Sequence, residues 1–252
     1  MTASEDKLTT QVEENPAPEE DLDNGSMSIT EHLEELRSRI IKSLLAVAAG
    51  SGVAYFFLDE ITKFMTAPVG KLYYMKPGEA FFTYLKIDIV AGFLIALPII
   101  FFHIWKFFLP ALTKSERAVL GLLVPASVIL FFTGLAFSFF LILPLALKFF
   151  MGFSTDDLQT MFSFQNYFDF VITFMLPFGF VFELPLIVIV LAQLGFLTSE
   201  FLGKYRRIIF FLSFVIGALI TPPDVISQVS LALPIIFLYE TGYRIVKHIL
   251  RK

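Results

Sequence analysis

Long stretches without a single charged residue constrain this chain more than anything else in it. Uncharged runs occupy residues 43–58, 89–105, 118–147, 170–182 continuing past Glu183 through 184–199, then 208–223 and 225–239. About 20 mostly apolar residues are needed to cross about 30 Å of hydrocarbon. Only structures that satisfy every backbone N–H and C=O internally can do so. The runs predict an all-α integral membrane protein with six transmembrane helices. The third run, 30 residues long, contains no Asn-Gly or Gly-Pro turn and is read as one span with an extension beyond the bilayer. The fifth and sixth runs are short and flank Thr221, Pro222, Pro223 and Asp224, a turn whose paired prolines cannot continue a helix. Hydrophobic residues make up 56% of the chain and charged residues 17%, against about 25% charged in a soluble domain. The net charge of −4 argues against a nucleic-acid partner. The absence of Cys excludes disulfides, a thiol nucleophile and thiolate metal sites, and three His leave little for any other metal. No cofactor is called for.

Charge divides the chain into two parts. Residues 1–26 hold eight acids against Lys7, a net of −7, so the remaining residues 27–252 carry +3. That acidic leader has almost no large apolar residue and is expected to be a disordered, solvated tail ahead of one membrane domain. Across six spans, 14 of the 19 Lys and Arg fall on one side and five on the other. Because positive charge accumulates in cytoplasmic loops, both termini are expected to be cytoplasmic. The longer loops, near 59–86 and 144–168, then lie outside. Their aromatic residues, such as Tyr73, Tyr74, Phe81 and Phe149, suit an interfacial cap.

Three places carry acids worth weighing. Ser28 to Arg39 begins with a capping box, Ser28 with Glu31, and repeats Ile29, Leu33, Leu36 and Ile40 at helical spacing. Its bland account is a self-contained pair, Glu35 four residues before Arg39. The loop from Trp105 to Arg117 holds Thr113 and Glu116, a second capping box, which explains Glu116 as a helix start. Glu183 stands apart, in the middle of a span between Pro177 and Pro185, with Gln193 as a second polar group ten residues later. An ionisable side chain at that depth is costly unless protonated, paired or turned to water or another protein, so it is a functional candidate by default; a protonated acid hydrogen-bonded within the bundle is its plain reading. The prolines favour a bent helix and a curved bundle with a concave recess. Asp224 suits a cap for the last span, and Glu240 pairs with Arg244 at i,i+4.

Taken together, His32-Leu-Glu-Glu35-Leu-Arg37-Ser-Arg39, Ala67-Pro68, Phe107 to Pro110-Ala111-Leu112 with Glu116, Phe182-Glu183-Leu-Pro185 and Thr221-Pro-Pro-Asp224-Val-Ile-Ser-Gln228 resemble the TatC family of the twin-arginine protein translocase. The resemblance runs from about Ile29 to Arg244. It implies a multi-pass receptor in the bacterial cytoplasmic membrane, not an enzyme. Such a receptor binds twin-arginine signal peptides of folded cargo at the cytoplasmic face, recruits single-span A-type and B-type subunits, self-associates, and works on the proton-motive force. By position it implies signal-peptide binding at Glu35, Glu116, Phe107, Arg37 and Arg39, a partner-subunit or intramembrane polar role for Glu183 and Gln193, and structural or loop roles for Pro68, Pro110 and Asp224. Adjacent arginines repel each other and need separate anions, which two carboxylates supply in forked geometry.

A different class, a small secondary transporter with Glu183 as its substrate or proton site, is weakened because the two halves of the chain are not alike. A membrane enzyme is weaker still, since rhomboid-type Gly-x-Ser, His-Glu-x-x-His and Walker motifs are absent.

Overall fold

The computed structural model describes residues 29–108, 117–154, 161–220 and 225–250, which are helices and turns apart from one isolated bridge, Tyr73 to Ser163. The helices are α1 (Ile29–Ala54), α2 (Leu58–Thr66), α3 (Glu79–Phe108), α4 (Arg117–Phe137), α5 (Leu143–Met151), α6 (Phe164–Phe182), α7 (Leu184–Gln193), α8 (Ser199–Ile220) and α9 (Val225–Ile245). Several run on into one another. A 3₁₀ turn joins α1 to α2, and a π-helical turn, Ser138–Ile142, joins α4 to α5. Five continuous stretches among the described residues are long and apolar enough to cross a membrane: His32–Thr66, Glu79–Phe107, Gly121–Met151, Phe164–Gln193 and Ser227–His248. The predicted fifth run lies in α8, which is helical but carries Glu200, Lys204, Arg206 and Arg207 in its first half. Its uncharged part, 208–220, is about 20 Å long at 1.5 Å per residue and falls short of the hydrocarbon thickness.

The uncharged 118–147 run is a single helical rod, as expected. The loops are shorter than the sequence suggested, because α2 fills residues 58–66, α3 begins at 79, and helix persists to 151 and resumes at 164. Charge ends an apolar run without ending a helix. In α2, Leu58, Ile61 and Met65 pack on the cluster around Ile87 and Phe168, while Asp59, Glu60 and Lys63 turn outward.

Packing is pairwise: α1 lies on α3, α4 on α6, and α9 against both α7 and α8. The first of these contacts depends on small residues. A Cβ on Gly50 would stand 2.5 Å from the Gly92 carbonyl oxygen, and one on Gly92 would overlap the Ser51 backbone. The two backbones therefore touch, and the Ser51 hydroxyl donates to the Asp88 carbonyl at 3.3 Å. The core of the α4 and α6 layer is aromatic, with Phe131, Phe168, Phe174 and Phe178 fully buried.

At the Glu79 end of α3 the two loops are tied by one carboxylate. Glu79 accepts from the backbone N–H of Met75 at 2.7 Å, Lys76 at 3.2 Å and Gln165 at 3.0 Å, and from the Ser163 hydroxyl. Tyr167 adds a hydrogen bond to the Met65 carbonyl at 2.6 Å. Pro68 sits exposed in the turn that leads into this cap.

A branched residue at the α1–α3 contact must push the helices apart. Gly92→Val is expected to cost about 1–3 kcal/mol and to lower the thermal unfolding midpoint in detergent, whereas Gly121→Val, at a position where a Cβ meets nothing within 4 Å, leaves the midpoint nearly unchanged.

Candidate functional site

Two recesses flank the last turns of α3. At the helix end far from Glu79, α1 contributes Glu34, Glu35, Ser38, Arg39 and Lys42, and α3 contributes His103 and Lys106, to a polar recess of about 440 Å³. The i,i+4 spacing puts Glu35 and Arg39 on one face of α1, and Arg39 Nη2 bonds Glu35 Oε1. Arg39 is only 9% exposed, and its Nη1 also donates to the His103 carbonyl at 3.3 Å, which ties α1 to α3. The His32 ring stacks on Phe107 with centroids 4.3 Å apart, and its Nδ1 lies 4.0 Å from Glu35 Oε2. Glu35 is therefore already paired. Its surroundings are mixed in sign, with Glu34 and Glu35 facing Arg39, Lys42 and Lys106.

The recess continues into an apolar groove of about 500 Å³ between the same two helices. Leu36, Ile40, Leu44 and Val47 form one wall and Phe93, Ile100, Ile104 and Phe107 the other, while Arg39 and His103 line both spaces. A ligand with a polar, charged head and an apolar body meets matching chemistry in sequence along α1.

On the other side of α3, Phe101, Ile104 and Trp105 face Phe180, Glu183, Ile187 and Val190 across a second recess of about 350 Å³. Glu183 occupies the break between α6 and α7, where Pro185 near the start of α7 prevents the helix from continuing undisturbed. The residue is 5% exposed. Ser127 of α4 hydrogen-bonds the carboxyl, and the Trp105 indole N–H donates to the Ser127 hydroxyl at 2.9 Å. Glu183 Oε1 is buried with no hydrogen-bond partner. An acid held by one hydrogen bond in an apolar recess has capacity left for a polar group arriving from outside.

The structure brings Glu35, Arg39 and Phe107 together and leaves Arg37 exposed on α1, outside the lining of the polar recess. Gln193 ends α7 and does not line the recess around Glu183. Glu116, Pro110, Asp224 and the acidic leader lie outside the described residues. Ser127 and Trp105 were given no role from sequence. The signal available was a hydroxyl within the longest uncharged run, but its partners lie on other helices. The stack of His32 on Phe107 needs only one His and depends on which faces of α1 and α3 meet.

Comparison with known proteins gives one answer. The family model described as Sec-independent protein translocase protein (TatC) matches residues 31–234. Among similar proteins is a TatC of Desulforapulum autotrophicum, 39% identical over 218 residues, covering 84% of this chain and 81% of that one. A TatC of Carboxydothermus hydrogenoformans is 39% identical over 233 residues, covering 90% and 96%. A crystal structure described as the twin arginine translocase receptor TatC superposes with a TM-score of 0.77 at 37% identity, covering 86% of this chain and 98% of that one.

The two buried acids differ in what they do for stability. Glu79 is fully engaged by backbone donors, so Glu79→Ala is expected to cost about 3 kcal/mol or more and lower the unfolding midpoint in detergent. Replacing an underused acid by a well-packed apolar residue is neutral or stabilising, so Glu183→Leu leaves the midpoint unchanged or raises it. A large fall in the second variant would make Glu183 a structural tie.

Proposed function

The chain belongs to the TatC family of Sec-independent protein translocase proteins, and from that premise we propose that it is the receptor that admits twin-arginine signal peptides to the translocase. It is a multi-pass membrane protein and a transport component. The observation that carries the reading is the polar recess at Glu35 opening directly into an apolar groove, since a signal peptide presents a cationic segment followed by an apolar one.

In this reading α8 is the fifth of six spans, short enough to require local bilayer thinning, both termini are cytoplasmic, and the bundle is curved around its recesses. The membrane is the bacterial cytoplasmic membrane. The arginine pair of the cargo engages Glu35 and Glu116. Glu116 lies nine residues beyond Phe107 in sequence, and Phe107 stacks on the helix turn that carries Glu35. An incoming guanidinium takes the Glu35 carboxylate from Arg39, which keeps its bond to the His103 carbonyl. Guanidinium offers a planar fork that ammonium lacks, so Lys is a poor substitute. The apolar part of the leader follows the groove along Ile40 and Leu44.

Glu183 serves a different ligand. A polar side chain on a single-span A-type or B-type partner gains more from Glu183 than from lipid, where it has no other partner. Phe180 and Ile187, which line the same recess, are exposed on the outer surface and give such a helix an apolar seat. No catalytic step is involved; the driving energy is the proton-motive force. Copies of the chain associate in the working translocase.

Three outcomes are expected. Depleting the protein in its host traps folded, twin-arginine-bearing reporters inside while unfolded secretion continues; export of both at normal rates contradicts the reading. Glu35→Ala or Glu116→Ala weakens binding of a fluorescent twin-arginine peptide by about tenfold or more, whereas unchanged affinity in both variants refutes the site. Glu183→Ala reduces copurification of the A-type subunit and leaves peptide affinity intact, and equal loss of both at normal protein levels contradicts the division of labour.

A further inference from the structure

Far from both recesses in sequence, Glu240 of α9 draws two arginines together. Arg206 Nε of α8 lies 3.0 Å from Glu240 Oε2, and Arg244 Nε lies 3.6 Å from Oε1. The carboxylate is mostly buried, while Arg206 and Arg244 have exposed side chains, 46% and 71%. Each guanidinium reaches Glu240 through Nε, and its terminal Nη donors remain for another acceptor. Aromatic rings support the cations from below: the Arg206 guanidinium lies 5.4 Å from the Phe210 ring, and Lys247 lies 5.7 Å from the Tyr243 ring. Lys204, Arg206, Arg207, Arg244 and Lys247 stand against Glu200 and Glu240, which leaves +3 on this end of the helix pair.

The same surface turns apolar toward the middle of the bundle. Leu233 and Phe237 are exposed, and with Glu240 and Arg244 they repeat at spacings of 4, 3 and 4, one stripe along α9. Phe237 precedes Arg244 by seven residues, about 10 Å along the axis. On the neighbouring helix, Ile208 and Phe211 are exposed next to Arg206 and Arg207. Residues 227–248 are long and apolar enough to cross a membrane, and an exposed apolar stripe that ends in arginines suits hydrocarbon below and headgroups above.

We propose that Arg206 and Arg244, held as a pair by Glu240, bind the phosphate of an anionic phospholipid whose acyl chains lie against Phe237 and Leu233. A phosphodiester fits between two guanidinium forks, and a net-negative lipid neutralises charge that Glu240 alone leaves over. A zwitterionic lipid carries its own cation and gains less. The apolar stripe directly beneath selects a lipid over a free anion.

The test uses the purified full chain in detergent, offered equimolar phosphatidylglycerol and phosphatidylcholine with the same acyl chains, with retained lipid read by native mass spectrometry. The unaltered protein retains phosphatidylglycerol over phosphatidylcholine by about tenfold. The triple variant R206Q/E240Q/R244Q removes both cations together with the carboxylate they share, so no charge is left buried, and it brings the ratio to parity. Arg244→Gln alone, at an exposed position, gives the same change at smaller amplitude, about threefold, if the triple variant fails to fold. Lys63→Gln with Lys71→Gln, at the other end of the molecule, leaves the preference intact. Parity in the unaltered protein, an undiminished preference in the altered ones, an equal loss in the lysine control, or displacement of the lipid by equimolar inorganic phosphate overturns the assignment.

Discussion

Inside hydrocarbon a polar group has no water to fall back on, so every acid, hydroxyl and backbone amide at that depth must find a partner within the protein or on another one. That constraint organises this molecule. It makes the backbone helical, while at the loop end of α3 Glu79 accepts from four donors and ties the two loops. It also marks Glu183, which has Ser127 for one hydrogen bond and an oxygen left over, as a place where a buried acid keeps unused capacity.

The C-terminal turns of α3 serve both recesses. His103 and Phe107 face α1 and complete the polar recess and its groove, while Phe101 and Trp105 face the break between α6 and α7. Ile104 lines both the groove and the recess around Glu183. A cargo leader and a partner helix would thus contact opposite faces of the same two turns without competing for any charged group. The polar recess is mixed in sign, and Glu35 is already paired with Arg39 through Oε1 while its Oε2 has no hydrogen-bond partner. A paired carboxylate stays ordered at modest cost, and in the proposed function exchanging one guanidinium for another would conserve that pairing and favour arginine over lysine.

Much of this was legible in the sequence. Uncharged runs located the helices because charge and hydrocarbon exclude each other, and the 30-residue run was recognised as one rod because it lacked turn chemistry. Glu35 with Arg39 and Glu240 with Arg244 followed from helical spacing, and Glu183 was marked by isolation alone. Loop lengths were overestimated because a charged residue such as Asp59 ends an apolar run while the helix continues on its packed face. Contacts between helices were hidden. Nothing in the order of residues says that Trp105 reaches Ser127, that His32 stacks on Phe107, or that Arg206 joins Glu240, since each depends on which faces meet after packing.

The most direct measurement is photocrosslinking from positions 34, 38 and 106, which line the polar recess without supplying its paired carboxylate, to a twin-arginine peptide and to its twin-lysine counterpart. The account predicts strong adducts from all three positions with the arginine peptide, few with the lysine peptide, and none from position 68 in the turn at the opposite end of α3. Equal labelling by both peptides, or labelling confined to position 68, would contradict it.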